Sequence, residues 1–313
     1  MAWWTGKADI VGIALGDSNV VGVGGFQLGV QTFNPNIRCY ATTDTIPYNP
    51  AELEWRTLDP NGTSRYDQMY ETLITQQTAY IGQVLGGNGA AAMQMADTVQ
   101  RGTGCETFWL YQNAHGGSTA SDWSLGNDWA IMLEYFPAAL AAIPGSPTYA
   151  DIIYISLGAA DWLFDAVTPE QYYTNMALVR ANMIAEGWWV PGTTQIVFGD
   201  IPRNGIMGTW DGHELCRTRF NDRVSYTSGA GGDYLEEVFN VHYTPATLTR
   251  MGKDAGRQVL AHIPIPWYYN KTVVAAACIG DSNAFASGGF TPPGGQTANT
   301  GVYCYASASG QTP

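Results

Sequence analysis

Charge is what this sequence has least of. Asp, Glu, Lys and Arg make up 13% of its 313 residues, against roughly 25% in an average soluble chain. The 14 basic residues are outnumbered by 27 acidic ones, giving a net charge of −13, and no run of Lys or Arg interrupts the acidity. Such a surface repels phosphate backbones, which excludes nucleic acid as an expected partner. Long apolar runs are missing too, so no bilayer-spanning segment and no membrane partner are expected. The opening MAWWTGKADI lacks the basic start and apolar run of a secretory signal. It leaves localisation open, an extracellular or virion surface included. Cysteine is sparse and scattered. Cys39, Cys105, Cys216, Cys278 and Cys304 are odd in number and form no C-x-x-C pair, which argues against a disulfide framework or a structural zinc site. They read as buried thiols.

What is present begins with a repeat. KADIVGIALGDSNVVGVGGF at 7–26 returns as KTVVAAACIGDSNAFASGGF at 271–290, at one fixed offset of 264 residues. After one inserted residue, Cys39-Tyr40-Ala41 matches Cys304-Tyr305-Ala306. The offset measures one complete unit, so the expected organisation is a domain over 1–263, a linker PIPWYYN over 264–270, and the opening of a second unit over 271–313. One strand and a loop cannot bury a core alone. Either the chain is cut from a longer tandem protein, or the fragment packs against the first unit or a neighbouring molecule, which makes self-association through it an expectation.

Short apolar, β-branched runs alternate with helical patterns through the first unit. Strands are expected at 8–15, 106–112, 151–157, 194–199 and 237–241, each continuously apolar as a strand covered on both faces should be. Thr168-Pro169-Glu170 and Thr244-Pro245 read as a cap followed by proline in the first helical turn. Asp211-Gly212-His213-Glu214 has the spacing of a capping box, and 69–84 and 127–142 read as two more helices. The alternation predicts an α/β fold, a parallel five-stranded sheet between two helical layers. Ligands in such folds bind at the carboxyl ends of the strands.

The polar clusters fall at those ends. Gly16-Asp17-Ser18-Asn19 follows the first expected strand, Asn113-Ala114-His115-Gly116-Gly117-Ser118 the second, Gly158-Ala159-Ala160-Asp161-Trp162 the third, and His242-Tyr243-Thr244 the fifth. A serine at a strand-to-helix turn projects its hydroxyl above the sheet edge, where turn N–H groups can hold an oxyanion. A neighbouring Gly-Gly lets a second N–H approach the same point. A histidine after the last strand reaches across to take the serine proton. Ser18 also reads as a plain helix cap. Four histidines are present. His213 reads as an exposed residue in a capping sequence and His262 as a cation at a helix end. His115, in the glycine loop, binds substrate or is itself the base, and His242 is the preferred base. Asp17 and Asp161 read either as loop-holding acceptors or, for Asp161, as a substrate contact. Trp109, Trp129, Trp188 and Trp189 read as packing residues, whereas Trp123 and Trp162 read equally as packing or as a stacking platform for a sugar.

With these blocks in this order, residues 7–263 resemble the SGNH (GDSL-like) hydrolase superfamily. The likeness runs to its carbohydrate-esterase branch with sialate O-acetylesterase-like members, through GDSN at 16–19, Gly116-Gly117, the loop from Ser118 to Trp123 and the helix entry His242-Tyr243-Thr244. The resemblance implies a flavodoxin-like sheet, a Ser18 nucleophile, a His242 base, an oxyanion held by the Ser18 and Gly117 N–H groups, no cofactor and no metal. It also implies deacylation of an O-acetylated sugar or another small ester. Two positions depart from the family pattern. Phe239 stands where an Asp three residues before the histidine is usual, leaving Glu236, Glu237, the amide of Asn240 or a bare Ser–His dyad. Ala160 stands where an Asn would donate to the oxyanion. A second reading follows from those departures and the repeat: a catalytically weakened copy of the fold used as a structural or glycan-binding module in a tandem-repeat fibre or virion protein.

Overall fold

The computed structural model divides the chain into two units, residues 6–262 and residues 1–5 with 263–313. It describes residues 8–21, 36–41, 54–57, 91–163, 165–199, 211–220, 222, 224–226 and 242–262, all within the first unit. The expected strand at 237–241, the helix at 69–84, the linker and the second GDSN copy lie outside the described residues.

Seven strands form one sheet among those residues: β1 (Asp9–Gly16), β2 (Ile37–Ala41), β3 (Glu54–Thr57), β4 (Thr107–Ala114), β5 (Ile152–Ser156), β6 (Gln195–Phe198) and β7 (Val224–Tyr226). Their order is β3-β2-β4-β1-β5-β6-β7. All neighbours are parallel except β3, which runs antiparallel to β2. The expectation of five parallel strands is thus corrected to a seven-stranded mixed sheet. The three unforeseen strands lie towards its edges: β2 and β3 carry charged residues and β7 is three residues long, as strands near a sheet edge often are. The four central strands fall where apolar runs place them.

Among the described residues the helices are α1 (Ser18–Val21), α2 (Ala91–Thr103), α3 (Ala120–Leu125), α4 (Asn127–Ala141), α5 (Ala159–Leu163), α6 (Pro169–Ala185), α7 (Gly212–Arg219) and α8 (Pro245–Ala261). Side chains alternate across β1 with period two. Val11, Ile13 and Leu15 enter the core shared with α3, α4, α6 and α7, where Trp123, Phe136, Tyr172, Met176 and Cys216 are buried. Towards the opposite face, Gly12 abuts the Phe108 ring. On that side α2 and α8 pack together, so closely that a Cβ at Gly252 would lie 2.2 Å from the Ala91 carbonyl oxygen. Both faces are covered, giving a three-layer αβα fold.

Local chemistry starts the long helices. Thr168 caps α6, accepting from the Gln171 N–H, while Gln171 Oε1 accepts the Thr168 N–H at 2.9 Å. Thr244 caps α8 by accepting from the Thr247 N–H. The capping box read at Asp211 does not form: Asp211 makes no side-chain cap bond, and Glu214 pairs with Arg217.

Candidate active site

β1 delivers its chain into a turn that only glycine can begin. A Cβ on Gly16 would lie 2.1 Å from Val20 Cγ2 and 2.6 Å from the Ser156 carbonyl oxygen, inside any permitted contact. The chain then enters α1, and the capping is done by Asp17, whose Oδ1 accepts the Asn19 N–H at 3.0 Å. Because Asp17 caps, Ser18 is released from that task. Its Oγ lies 2.8 Å from His242 Nε2, across 224 residues of sequence. Ser18 and His242 are each half-buried, reachable by a ligand yet partly withdrawn from water.

The loop after β4 is tied to this turn, since the His115 N–H donates to the Gly16 carbonyl at 3.1 Å. Gly117 adopts φ +81° with open space on its Cβ side, a conformation that glycine takes without strain. Ser118 Oγ donates to Asp128 Oδ2 at 2.7 Å, and the Ser118 N–H to the His115 carbonyl at 3.1 Å. Neither the Ser18 nor the Gly117 N–H meets an acceptor among the described residues. His115 is half-exposed, with Nδ1 3.7 Å from Asp128 Oδ1. His242, not His115, holds the Ser18 hydroxyl.

Two carboxyls beneath the site are held in unusual states. Burial pushes Asp17 up to about 6, against the opposing pull of the Asn19 N–H and the His242 charge. Burial pushes Asp161 to about 7, helped by repulsion from Asp17 and opposed by the Ala120 N–H. Both Asp161 oxygens lie 3.1 Å from that N–H. Asp161 is 0% exposed, which corrects its reading as a substrate contact: it ties α5 to the start of α3. Trp123 is likewise 0% exposed, packed in the core with no face left for a sugar. Trp162 is half-buried against the same core and keeps part of its surface open. His213, expected on the surface, is buried, with Nε2 2.5 Å from the Leu157 carbonyl oxygen. The Tyr172 hydroxyl donates to that same oxygen at 3.0 Å, so two buried side chains hold the chain just before Gly158. His262 is exposed and bonds the Gln258 carbonyl at the end of α8. Glu236, Glu237, Phe239 and Asn240 lie outside the described residues.

Two contributors escaped the sequence reading. Asn19 Oδ1 accepts the Tyr243 N–H at 3.1 Å; its signal was the retention of Asn in the second GDSN copy, at Asn283. Asp128, buried behind the glycine loop, gave no sequence signal, because its partner Ser118 is met only after the chain turns back through α3.

No family model and no curated protein matches the sequence. Among solved structures, the chain is similar to a protein from Arabidopsis thaliana with a TM-score of 0.60 at 16% identity, over 82% of this chain and 100% of that one. A family two carbohydrate esterase from Cellvibrio japonicus aligns at TM-score 0.41 and 13% identity, over 82% of this chain and 62% of its own. A carbohydrate acetylesterase from Xanthomonas citri aligns at 0.47 and 13%, over 81% and 56%. At these identities the likeness is one of fold. The chain is a three-layer αβα fold with Ser18 in the turn after the central strand β1 and His242 just before the last described helix.

Proposed function

We propose that this protein is a cofactor-independent serine esterase that removes acyl groups, O-acetyl foremost, from a carbohydrate or a similar small ester. The observation that carries the reading is the 2.8 Å contact between Ser18 Oγ and His242 Nε2. It is the nucleophile–base pair that acyl transfer needs. Ser18 Oγ attacks the acyl carbonyl carbon while His242 Nε2 takes the hydroxyl proton. The N–H groups of Ser18 and Gly117 donate to the carbonyl oxygen as negative charge develops on it. Collapse of the tetrahedral intermediate breaks the bond to the alcohol oxygen, which receives the proton from His242. Water, deprotonated by the same histidine, then attacks the acyl-serine, releasing the acid and returning the proton to Ser18. The carboxyl of Asp17, within electrostatic reach of His242, favours the imidazolium form through the reaction.

The carbohydrate acetate is proposed from the family resemblance of the loop from Gly116 to Trp123 and from the partly open ring of Trp162. Ala160 provides no side-chain donor, and one missing oxyanion donor costs about 3 kcal/mol, on the order of a hundredfold or more in rate. Turnover of small esters is therefore expected to be modest. The test is hydrolysis of an activated acetate ester by the purified chain beside Ser18→Ala and His242→Ala. Both substitutions are expected to lower kcat by at least about 10³-fold. A chain no faster than its Ser18→Ala variant is not an esterase, and turnover that survives His242→Ala moves the base to His115.

A further inference from the structure

The Ser18–His242 contact has a twin one residue along each strand of the pairing. Next to Ser18, Asn19 offers its Oδ1 to the backbone N–H of Tyr243, next to His242, at 3.1 Å. The two bonds join the same two segments across the same 224 residues. Asn19 and Tyr243 are 4% and 0% exposed, so water does not compete for this second bond as it does for the first. The other end of the Asn19 side chain bonds the Asp17 carboxyl, which also accepts the Asn19 N–H. The amide is thus used at both ends, with oxygen towards the base-bearing segment and nitrogen towards the cap of α1. Only Asn has this length with an acceptor and a donor on one planar group. Asp would set a second carboxylate against Asp17, and Leu would give Tyr243 nothing to bond. In sequence, Phe239 stands where the resembled family usually has the Asp that orients the histidine, so support from the nucleophile's own turn matters more here.

We propose that Asn19 is the positioning residue of this site, fixing His242 on Ser18 by holding the Tyr243 N–H. It touches neither the substrate nor the reacting atoms and acts through the backbone on which His242 is mounted. The inference rests on the Ser18–His242 reading of the active site. In active protein, Asn19→Ala lowers kcat on the activated acetate ester by roughly 10²-fold, the scale of a displaced catalytic group, while KM stays within about twofold, because the acyl site itself is unchanged. An Asn19→Ala chain that is folded and retains kcat within about threefold overturns the proposal.

A readout independent of turnover separates this from failure of the esterase reading, in which the wild-type chain hydrolyses nothing. The ¹⁵N resonance of His242 Nε2 reports the bond to Ser18 in active and inactive protein alike. If Asn19 holds the pair together, Asn19→Ala moves this resonance to the position found in Ser18→Ala. If the resonance stays at the wild-type position, Asn19 does not position the base.

Discussion

At the scale of single residues, adjacent side chains divide tasks that each could have performed. Asp17 and Ser18 are both good helix caps, yet Asp17 caps and Ser18 faces His242. Asp17 holds its place at an electrostatic cost shared with Asp161, since both are buried carboxyls pushed up, to about 6 and about 7 respectively. The unfolded chain releases the Asp161 proton near the ordinary 3.8, whereas the folded chain retains it to about 7. Between those values the folded state binds more protons, so its stability falls as pH rises and the full penalty is present above about 7. Asp161→Asn removes that titration while keeping an acceptor for the Ala120 N–H. Thermal melts at pH 4.5 and pH 8 are expected to show a smaller loss across the interval for the variant than for the wild type. Equal losses would show that Asp161 ionises in the fold as freely as in water.

At the scale of elements, α8 links stability to the site. It begins three residues after His242, is capped by Thr244, and presses on α2 through Gly252 and Gly256. On an exposed helix, Gly→Ala stabilises by up to about 1 kcal/mol. Here a Cβ at position 252 meets the Ala91 carbonyl oxygen at 2.2 Å and Gln94 Cβ at 2.5 Å. Overpacking typically costs about 1–3 kcal/mol and outweighs the propensity gain. Gly252→Ala is therefore expected to lower the melting temperature and, by moving α8 off α2, to lower kcat as well. A rise in melting temperature would mean that the interface is slack. The same elements show what was legible. α6 and α8 could be read because Thr-Pro signals lie within their own chain. α2 lacked any such signal; its small Ala residues make sense only against the glycines of α8, about 160 positions later. β2 and β3 were missed because a strand near the sheet edge carries no apolar run.

At the scale of the whole molecule, the first strand of the chain is the centre of the sheet, between β4 and β5. In the strand order, β2, which follows β1 among the described strands, lies on one side of β1, and β5, which follows β4, lies on the other; open α/β sheets place ligands at such a switch point. Ser18 follows β1, and His115 and Gly117 follow β4. Every described element lies within residues 6–262, apart from the unit of 1–5 and 263–313. A chain ending after His262 is expected to unfold cooperatively and to keep the wild-type kcat, measured by calorimetry and ester hydrolysis. Loss of both would show that the first unit depends on the second.

Sequence alone determined the strand–turn–helix alternation, and it singled out Ser18 and His242, whose side chains the fold brings within 2.8 Å. These depend on local pattern: apolar runs, turn residues and caps that act within a few positions of themselves. Only the tertiary structure decided which aromatic and acidic residues are reachable. Trp123 and Asp161 stand beside polar loops in sequence, yet both are buried by packing from helices elsewhere in the chain. It also decided which groups hold the site together, Asn19 on Tyr243 and Asp128 on Ser118. A hydrogen bond across 224 residues depends on where two segments meet, and no local pattern records that.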